Sequence, residues 1–239
     1  MKKIENSLVD NYLATAPIGQ ITNMTEVKIE WMKLNIVKYF PKPNSFCLEI
    51  GPGQGELLLL WQELGYKNFR SIDISKDVCL HVHKLGFECE LVEDDSIFLE
   101  KHKNSYDLIV MNDVLEHVPR EKVVGLMKSI FSSLKPGGKV IIKVPNAQSP
   151  HFSVGRYGDL THEQSFTELS LTQLFIASGF NEYNYFAEKV PFKLNIKSLL
   201  AIYIIRPLYF WWIRNIRSAT GCTSPKILTQ AIIAVAEKK

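Results

Sequence analysis

Cysteine is scarce in this sequence, and never paired. Four occur among 239 residues, Cys47, Cys79, Cys89 and Cys222, and no two stand in Cys-x-x-Cys spacing. That argues against a disulfide-dense scaffold and a zinc ribbon. An excess of one charge is also missing: 28 Lys and Arg stand against 25 Asp and Glu, a formal +3. This balance gives no footing for nucleic acid as a partner, and no aromatic–basic repeat supplies one. The stretch MKKIENSLVDNYL starts basic but holds no apolar core of signal-peptide length. A reduced, cytoplasmic protein is therefore expected. No internal repeat, low-complexity tract or G-x-x-x-x-G-K-[ST] phosphate loop is present.

What is present is an ordinary globular composition, 46% hydrophobic and 22% charged, long enough for one full α/β core and an elaboration. Apolar runs predict strands at 46–50, 69–74, 87–92, 106–112, 139–144, 183–189 and 231–237. Helical periodicity falls between them, at 25–39, 55–64, 76–85, 96–102, 121–134 and 167–178. The tetrapeptide KPGG, Lys135–Gly138, reads as a stop and turn, and the stretch up to Ser165 as a loop. Strands alternating with helices, the early ones apolar throughout, predict a parallel sheet covered on both faces. Such sheets bind ligands at the carboxyl ends of their strands.

Polar residues collect at those ends. The segment EIGPGQG places Gly51, Gly53 and Gly55 after the first strand, with Glu49 just before them. Asp73 and Ile74 end the second strand, Asp95 and Ser96 follow the third, and Asn112 and Asp113 end the fourth. An acid after the second strand can accept from both hydroxyls of a ribose. One after the third can accept from an exocyclic amine. The glycine spacing departs from the G-x-G-x-x-G dinucleotide fingerprint, its third glycine coming one residue early.

As an ordered set, LEIGPGQGELL, SIDIS, EDDS, YDLIVMNDVLEHV and LKPGGKVIIKVPN resemble the motifs of the class I S-adenosylmethionine-dependent methyltransferases. The resemblance covers roughly Phe46 to Phe180. It implies a seven-stranded Rossmann-like sheet, mostly parallel, with an antiparallel last strand inserted between the fifth and sixth and helices on both faces. It implies S-adenosyl-L-methionine as cofactor and S-adenosyl-L-homocysteine as product. By the same resemblance, Glu49 contacts the methionine end or orders the loop, and Gly51, Gly53 and Gly55 pack under the cofactor. Asp73 binds the ribose hydroxyls, Asp95 and Ser96 the adenine, Asn112 faces the methionine side, and Ile74 is a further cofactor-binding residue. The implied organisation is an N-terminal helical segment over 1–45, a methyltransferase domain over 46–191 and 226–239, and a helical insertion over 192–225.

The stretch His151–Phe180 resembles a subset of that family with D-x-T-H-x-x-x-F-T before the sixth helix, many of whose members look like sugar or surface-polysaccharide O-methyltransferases. The expected acceptor is a hydroxyl of a sugar, sugar nucleotide or capsule or lipopolysaccharide precursor. A quinone precursor or other small metabolite is the alternative. A non-catalytic cofactor-binding or partner-docking subunit is the reading from another class. Removing a hydroxyl proton calls for a base of near-neutral pKa, so His162 and His117 are the catalytic candidates, with Asp159 to orient an imidazole. His151, Arg156, Tyr157 and Glu163 are candidates for binding the acceptor. Thr167 is placed to cap the following helix. Asp113, Glu116 and His117 are close in sequence, but no dedicated metal cluster is expected.

The segment KSLLAIYIIRPLYFWWIRNIR, 197–217, reads as two helices meeting near Arg206, too short and too charged for a clean membrane span. Three uses remain open for it: a lid or homodimer contact packed on the domain, a peripheral contact at the inner membrane surface, or docking onto a partner enzyme.

Overall fold

The computed structural model describes residues 21–191, 196–221 and 225–239. Cys222 and the first part of the expected N-terminal segment lie outside the described residues. Seven strands form one sheet: β1 (Cys47–Ile50), β2 (Phe69–Asp73), β3 (Cys89–Leu91), β4 (Tyr106–Asn112), β5 (Leu134–Pro145), β6 (Glu182–Ala187) and β7 (Ala231–Glu237). Their order is β3-β2-β1-β4-β5-β7-β6. The strands from β3 to β5 run parallel, and β7 lies antiparallel to both β5 and β6. This is the topology expected from the sequence.

Alternation along each strand divides the core between the two faces. Leu48, Ile50, Ile109 and Met111 face one helical layer. It comprises α4 (Asp95–Glu100), α5 (Arg120–Ser133) and α7 (Glu168–Ser178). Cys47, Leu108 and Val110 face the other layer. That layer is α1 (Ile21–Asn35), α2 (Glu56–Glu63) and α3 (Lys76–Lys84). All four residues of β1 are buried, as a central parallel strand requires. The chain crosses from the β1-β2-β3 side to β4 beside β1, so the switch point opens between the ends of β1 and β4.

Local chemistry sets the helix starts. Ser75 caps α3, its hydroxyl accepting from the Val78 amide at 3.4 Å. Asp94 caps α4 by accepting from Ser96 at 2.9 Å. Thr167 caps α7 as expected, in a reciprocal box with Ser170.

Three elements differ from the sequence reading. The KPGG turn does not separate α5 from β5. Leu134 already pairs with Tyr106, Lys139 pairs with Leu108, and the residues between bulge out of the ladder. The bulge is held by the chain end, since the Lys238 amide donates to Gly138 O at 2.9 Å. A Cβ on Gly138 would stand 2.8 Å from Lys135 O and 2.9 Å from Tyr106 O. The loop after β5 contains a short helix, α6 (Phe152–Tyr157). Among the described residues, the insertion between β6 and β7 carries one continuous helix, α8 (Ile196–Ala219), where two had been expected. Its turn Ala201–Ile205 has π geometry just before Pro207. A proline lacks an N–H and crowds the carbonyl four residues back; a widened turn absorbs both without a break. At 24 residues, α8 is long and apolar enough, by length and composition, to cross a membrane, contrary to the sequence reading.

Candidate active site

The glycine loop stands at the switch point. Gly51 takes φ 71°, and a Cβ there would overlap the Val114 Cγ2 methyl. The loop after β1 and the turn after β4 are therefore in contact. Gly53, at φ 52°, has nothing within 4 Å of a Cβ position, so its outer side is open. Gly55 caps α2 at φ 80°. Beneath the loop, Glu49 is only 3% exposed. Its Oε2 has no hydrogen-bond partner among the described residues. Burial, reinforced by the neighbouring Glu56 carboxylate, holds the Glu49 carboxyl well above the usual range. Glu56 itself is tied to Lys28 of α1 at 2.8 Å.

The next two strand ends carry the expected acids. Asp73 accepts from the Ser75 amide at 2.7 Å. Burial pushes its carboxyl up to about 6. Ile74 beside it is 50% exposed. The two acids after β3 have separate roles. Asp94 caps α4 and pairs with Lys122 at 2.9 Å. Asp95 turns a sealed, unpartnered Oδ1 inward, and burial followed by the Asp73 charge pushes its carboxyl up to about 7. At the end of β4, both side-chain polar atoms of Asn112 are sealed and unpartnered among the described residues. Buried polar atoms are ordinarily satisfied. Here the exceptions on Glu49, Asp95 and Asn112 stand at successive strand ends around one crevice, while others, such as Trp61 Nε1 and the Tyr106 hydroxyl, lie elsewhere.

Past Asn112 the chain turns sharply. Asp113 takes φ 55° and pairs with Lys143 of β5 at 2.6 Å. A turn of 3-10 helix, Leu115–His117, then sets Glu116 and His117 against the loop after β5. The Glu163 amide donates to Glu116 O at 2.8 Å and binds the two segments together. The His117 and His162 rings meet edge to face, 4.6 Å apart. His162 Nδ1 lies 2.6 Å from Gly155 O, an acceptor only, so Nδ1 carries the proton. Thr161 Oγ1 donates to Asp159 at 2.6 Å and lies 2.8 Å from His117 Nδ1. It can therefore only accept from His117, whose Nδ1 is protonated too. In each ring Nε2 is left as the basic nitrogen. Burial, then the neighbouring His162, lowers the His117 pKa below the ordinary histidine value. The hydrogen bonds from Thr161 hold Asp159 below the usual carboxylate range.

Glu116 is fully buried, and both its carboxylate oxygens are unpartnered among the described residues. Ligand-type atoms of Glu116, His117 and His162 lie within 4.8 Å of one another. This is a group of metal-ligating type that sequence spacing could not reveal, because His162 comes from a distant loop, and Asp113, paired with Lys143, is not part of it.

The remaining candidates are placed differently. The Arg156 guanidinium donates to His162 O and, at 2.9 Å, to Glu163 O, so it holds the loop together. Tyr157 is 72% exposed. Glu163 joins the site through its main chain. His151 does not join the other two histidines. Its Nε2 lies 3.2 Å from the Tyr209 hydroxyl of α8. Sequence reasoning missed Val114 and Thr161, although Thr161 stood in plain view inside the D-x-T-H motif; it noted Glu116 beside His117 but not that His162 joins them.

Comparison with known proteins agrees with this geometry. A family described as a methyltransferase domain matches residues 29–183, more than half of the chain. Phosphoethanolamine N-methyltransferase 1 of Arabidopsis thaliana is 26% identical over 152 residues, covering 59% of this chain and 30% of that protein. The chain thus matches about a third of the length of that curated relative. A SAM-dependent methyltransferase from Archaeoglobus fulgidus superposes with a TM-score of 0.66 at 22% identity, over 92% of this chain and 100% of that one. Phosphoethanolamine N-methyltransferase 2 of Haemonchus contortus, in complex with S-adenosyl-L-methionine, superposes with a TM-score of 0.59 at 19% identity, over 96% of this chain and 60% of that one. The chain belongs to the methyltransferase-domain family, and its fold is that of the SAM-dependent methyltransferases it superposes on.

Proposed function

We propose that this protein methylates a hydroxyl of a small polar acceptor, of the class of sugars, sugar nucleotides or surface-glycan precursors, with the His117–His162 pair taking the proton. The observation that carries this reading is the tautomer pattern: two imidazoles in contact, each with Nδ1 occupied as a donor. Burial lowers the His117 pKa, which favours the neutral ring. A neutral imidazole oriented through its far nitrogen is the arrangement general-base catalysis needs. The glycan class rests on the likeness of the 159–167 stretch to sugar methyltransferases.

The crevice suits the cofactor. When bound, S-adenosylmethionine supplies an electrophilic methyl group on a sulfonium. In this reading Asp73 accepts from the ribose hydroxyls, and Asp95, through its orphaned oxygen, from the adenine amine. Ile74 offers an exposed apolar side for the base. Glu49 and Asn112 would satisfy their orphaned atoms on the methionine end. Bringing a cation beside Glu49 favours its ionised form and offsets the burial that now raises its pKa.

Likeness to the phosphoethanolamine N-methyltransferases favours an amine acceptor as the second reading. Glu116 and Asp159 would then face a cationic group. The test is methyl transfer from S-adenosylmethionine to a panel of sugar nucleotides, glycan fragments, phosphoethanolamine and quinol precursors, with the product position mapped. An O-methylated sugar supports the proposal. Methylation confined to the amine overturns it in favour of the second reading. A chelator arm separates two uses of the histidines: turnover lost to chelation and restored by a divalent ion replaces the base with a metal centre.

A further inference from the structure

The helix α8 is amphipathic in the wrong sense for a soluble protein. Its half-buried positions Ile202, Arg206, Phe210, Ile213 and Arg217 recur at three- and four-residue spacing and so form the side turned to the domain. That side holds two arginines. The opposite side, turned to solvent, carries Tyr203 at 70% exposure, Ile204 at 51%, Leu208 at 60%, Trp211 at 64%, Trp212 at 54% and Ile216 at 41%. No described residue of the helix is buried. Surface helices of water-soluble proteins point their apolar stripe inward.

The charge around this stripe identifies what covers it. From Lys189 to Ala236 the chain has no Asp or Glu, and it has seven Lys and Arg. Lys197 and Arg214 are exposed near the two ends of the helix. Basic residues flanking an outward face of tryptophan, tyrosine and aliphatic side chains match an anionic bilayer surface. The rings and aliphatics enter the acyl boundary, and the cations meet the headgroups.

Topology decides between lying on the bilayer and crossing it. The strands on either side of α8, β6 and β7, are paired neighbours in one sheet. Both ends of the helix must therefore return to the same side. One crossing would leave β7 on the far side, and a return through lipid would strand unpaired backbone. The helix is also held against the domain. Tyr209 meets His151 at 3.2 Å, and Arg214 donates to Lys226 O at 3.3 Å. Since His151 lies just before α6 in the loop after β5, the helix is joined to the segment that supplies His162.

We infer that α8 docks the protein in the plane of an anionic membrane surface, with the Tyr203–Ile216 face embedded. Flotation with phosphatidylcholine vesicles, alone and with phosphatidylglycerol, tests this. Binding is expected only with the anionic lipid, weakened by salt. The double variant Trp211→Ser, Trp212→Ser alters exposed side chains only. It should lose vesicle affinity tenfold or more while S-adenosylhomocysteine affinity stays unchanged. Absence of vesicle binding at low salt overturns the inference. So does lipid-free self-association that the same variant abolishes, which would make a second copy of the chain the occupant. A change in acceptor class would leave this result standing, and failed docking would leave the methyl-transfer assignment standing.

Discussion

At the scale of single residues, the His117 ring is held by Thr161, which also ties it to Asp159. Asp73 and Asp95 could be read from the sequence because a parallel sheet puts each strand end at the same rim, whatever the intervening chain does. The orientation of His117 could not, because its partner Thr161 is 44 residues away and meets it only in the fold. That partnership gives a prediction. Replacing His117 with Asn removes a proton acceptor and should lower turnover by about a hundredfold to ten-thousandfold, with cofactor affinity near wild type. Thr161→Val keeps the imidazole but frees its orientation. It should cut turnover less, and pH–rate profiles should shift because Asp159 keeps the Thr161 amide but loses the hydroxyl donor and its link to the ring. If His162→Asn removes the fall of the rate at acidic pH and His117→Asn does not, the proton goes to the other ring. The adjacent acids Asp94 and Asp95 offer a second contrast. Asp95→Asn alters the orphaned acceptor and should weaken S-adenosylhomocysteine binding by about tenfold, the loss of a charge-assisted bond of roughly 1.5–3 kcal/mol. Asp94→Asn keeps a competent cap and removes only a surface ion pair worth about 0–1 kcal/mol. Calorimetry showing equal losses for both would undo the assignment of Asp95 to the cofactor.

At the scale of elements, predictions from periodicity held where an element is fixed by its own residues. β4 and β7 have the expected bounds, and α7 starts at the expected cap. They missed where a partner decides. The KPGG bulge stays in the β5 segment because Lys238 pairs with its backbone. The π turn in α8 is a packing response to Pro207 that no period reports. The glycine loop is the element most open to a stability test. Gly51→Ala must place a methyl on Val114 while keeping φ at 71°. A non-glycine residue held there is destabilised by about 1–3 kcal/mol before any overlap is counted. Adding Val114→Ala should recover the overlap but not the backbone strain. Denaturant unfolding should thus show partial rescue. Full rescue would mean that strain at Gly51 is negligible, and none would mean that Val114 is not the obstacle.

At the scale of the whole molecule, the crevice makes stability and cofactor binding respond to pH together. Burial pushes the Asp73 and Asp95 carboxyls up to about 6 and about 7, above the ordinary aspartate value. A raised carboxyl contributes stability that is fully present below the unfolded pKa and is lost as pH rises through the folded pKa. The free protein therefore loses this contribution between about pH 4 and pH 7. His117 works the other way. Its lowered pKa favours the neutral ring in the fold, so its contribution is present at high pH and lost as pH falls through the folded value. These opposed terms make the melting point of the free protein alone a poor report on the site. The increment produced by cofactor is cleaner. Ribose and adenine donors bind the ionised carboxylates, so binding releases protons wherever Asp73 and Asp95 are still protonated. At fixed S-adenosylhomocysteine, the rise in melting temperature should grow from pH 6 to pH 8 and then level off. Calorimetry in buffers of different ionisation enthalpy should register the protons released near pH 6.5. In the double variant Asp73→Asn, Asp95→Asn, the remaining increment should be small and flat with pH. An increment that instead shrinks toward pH 8 in the wild type would mean that these two carboxyls bind as neutral groups, and the polar rim of the crevice would have to be reassigned.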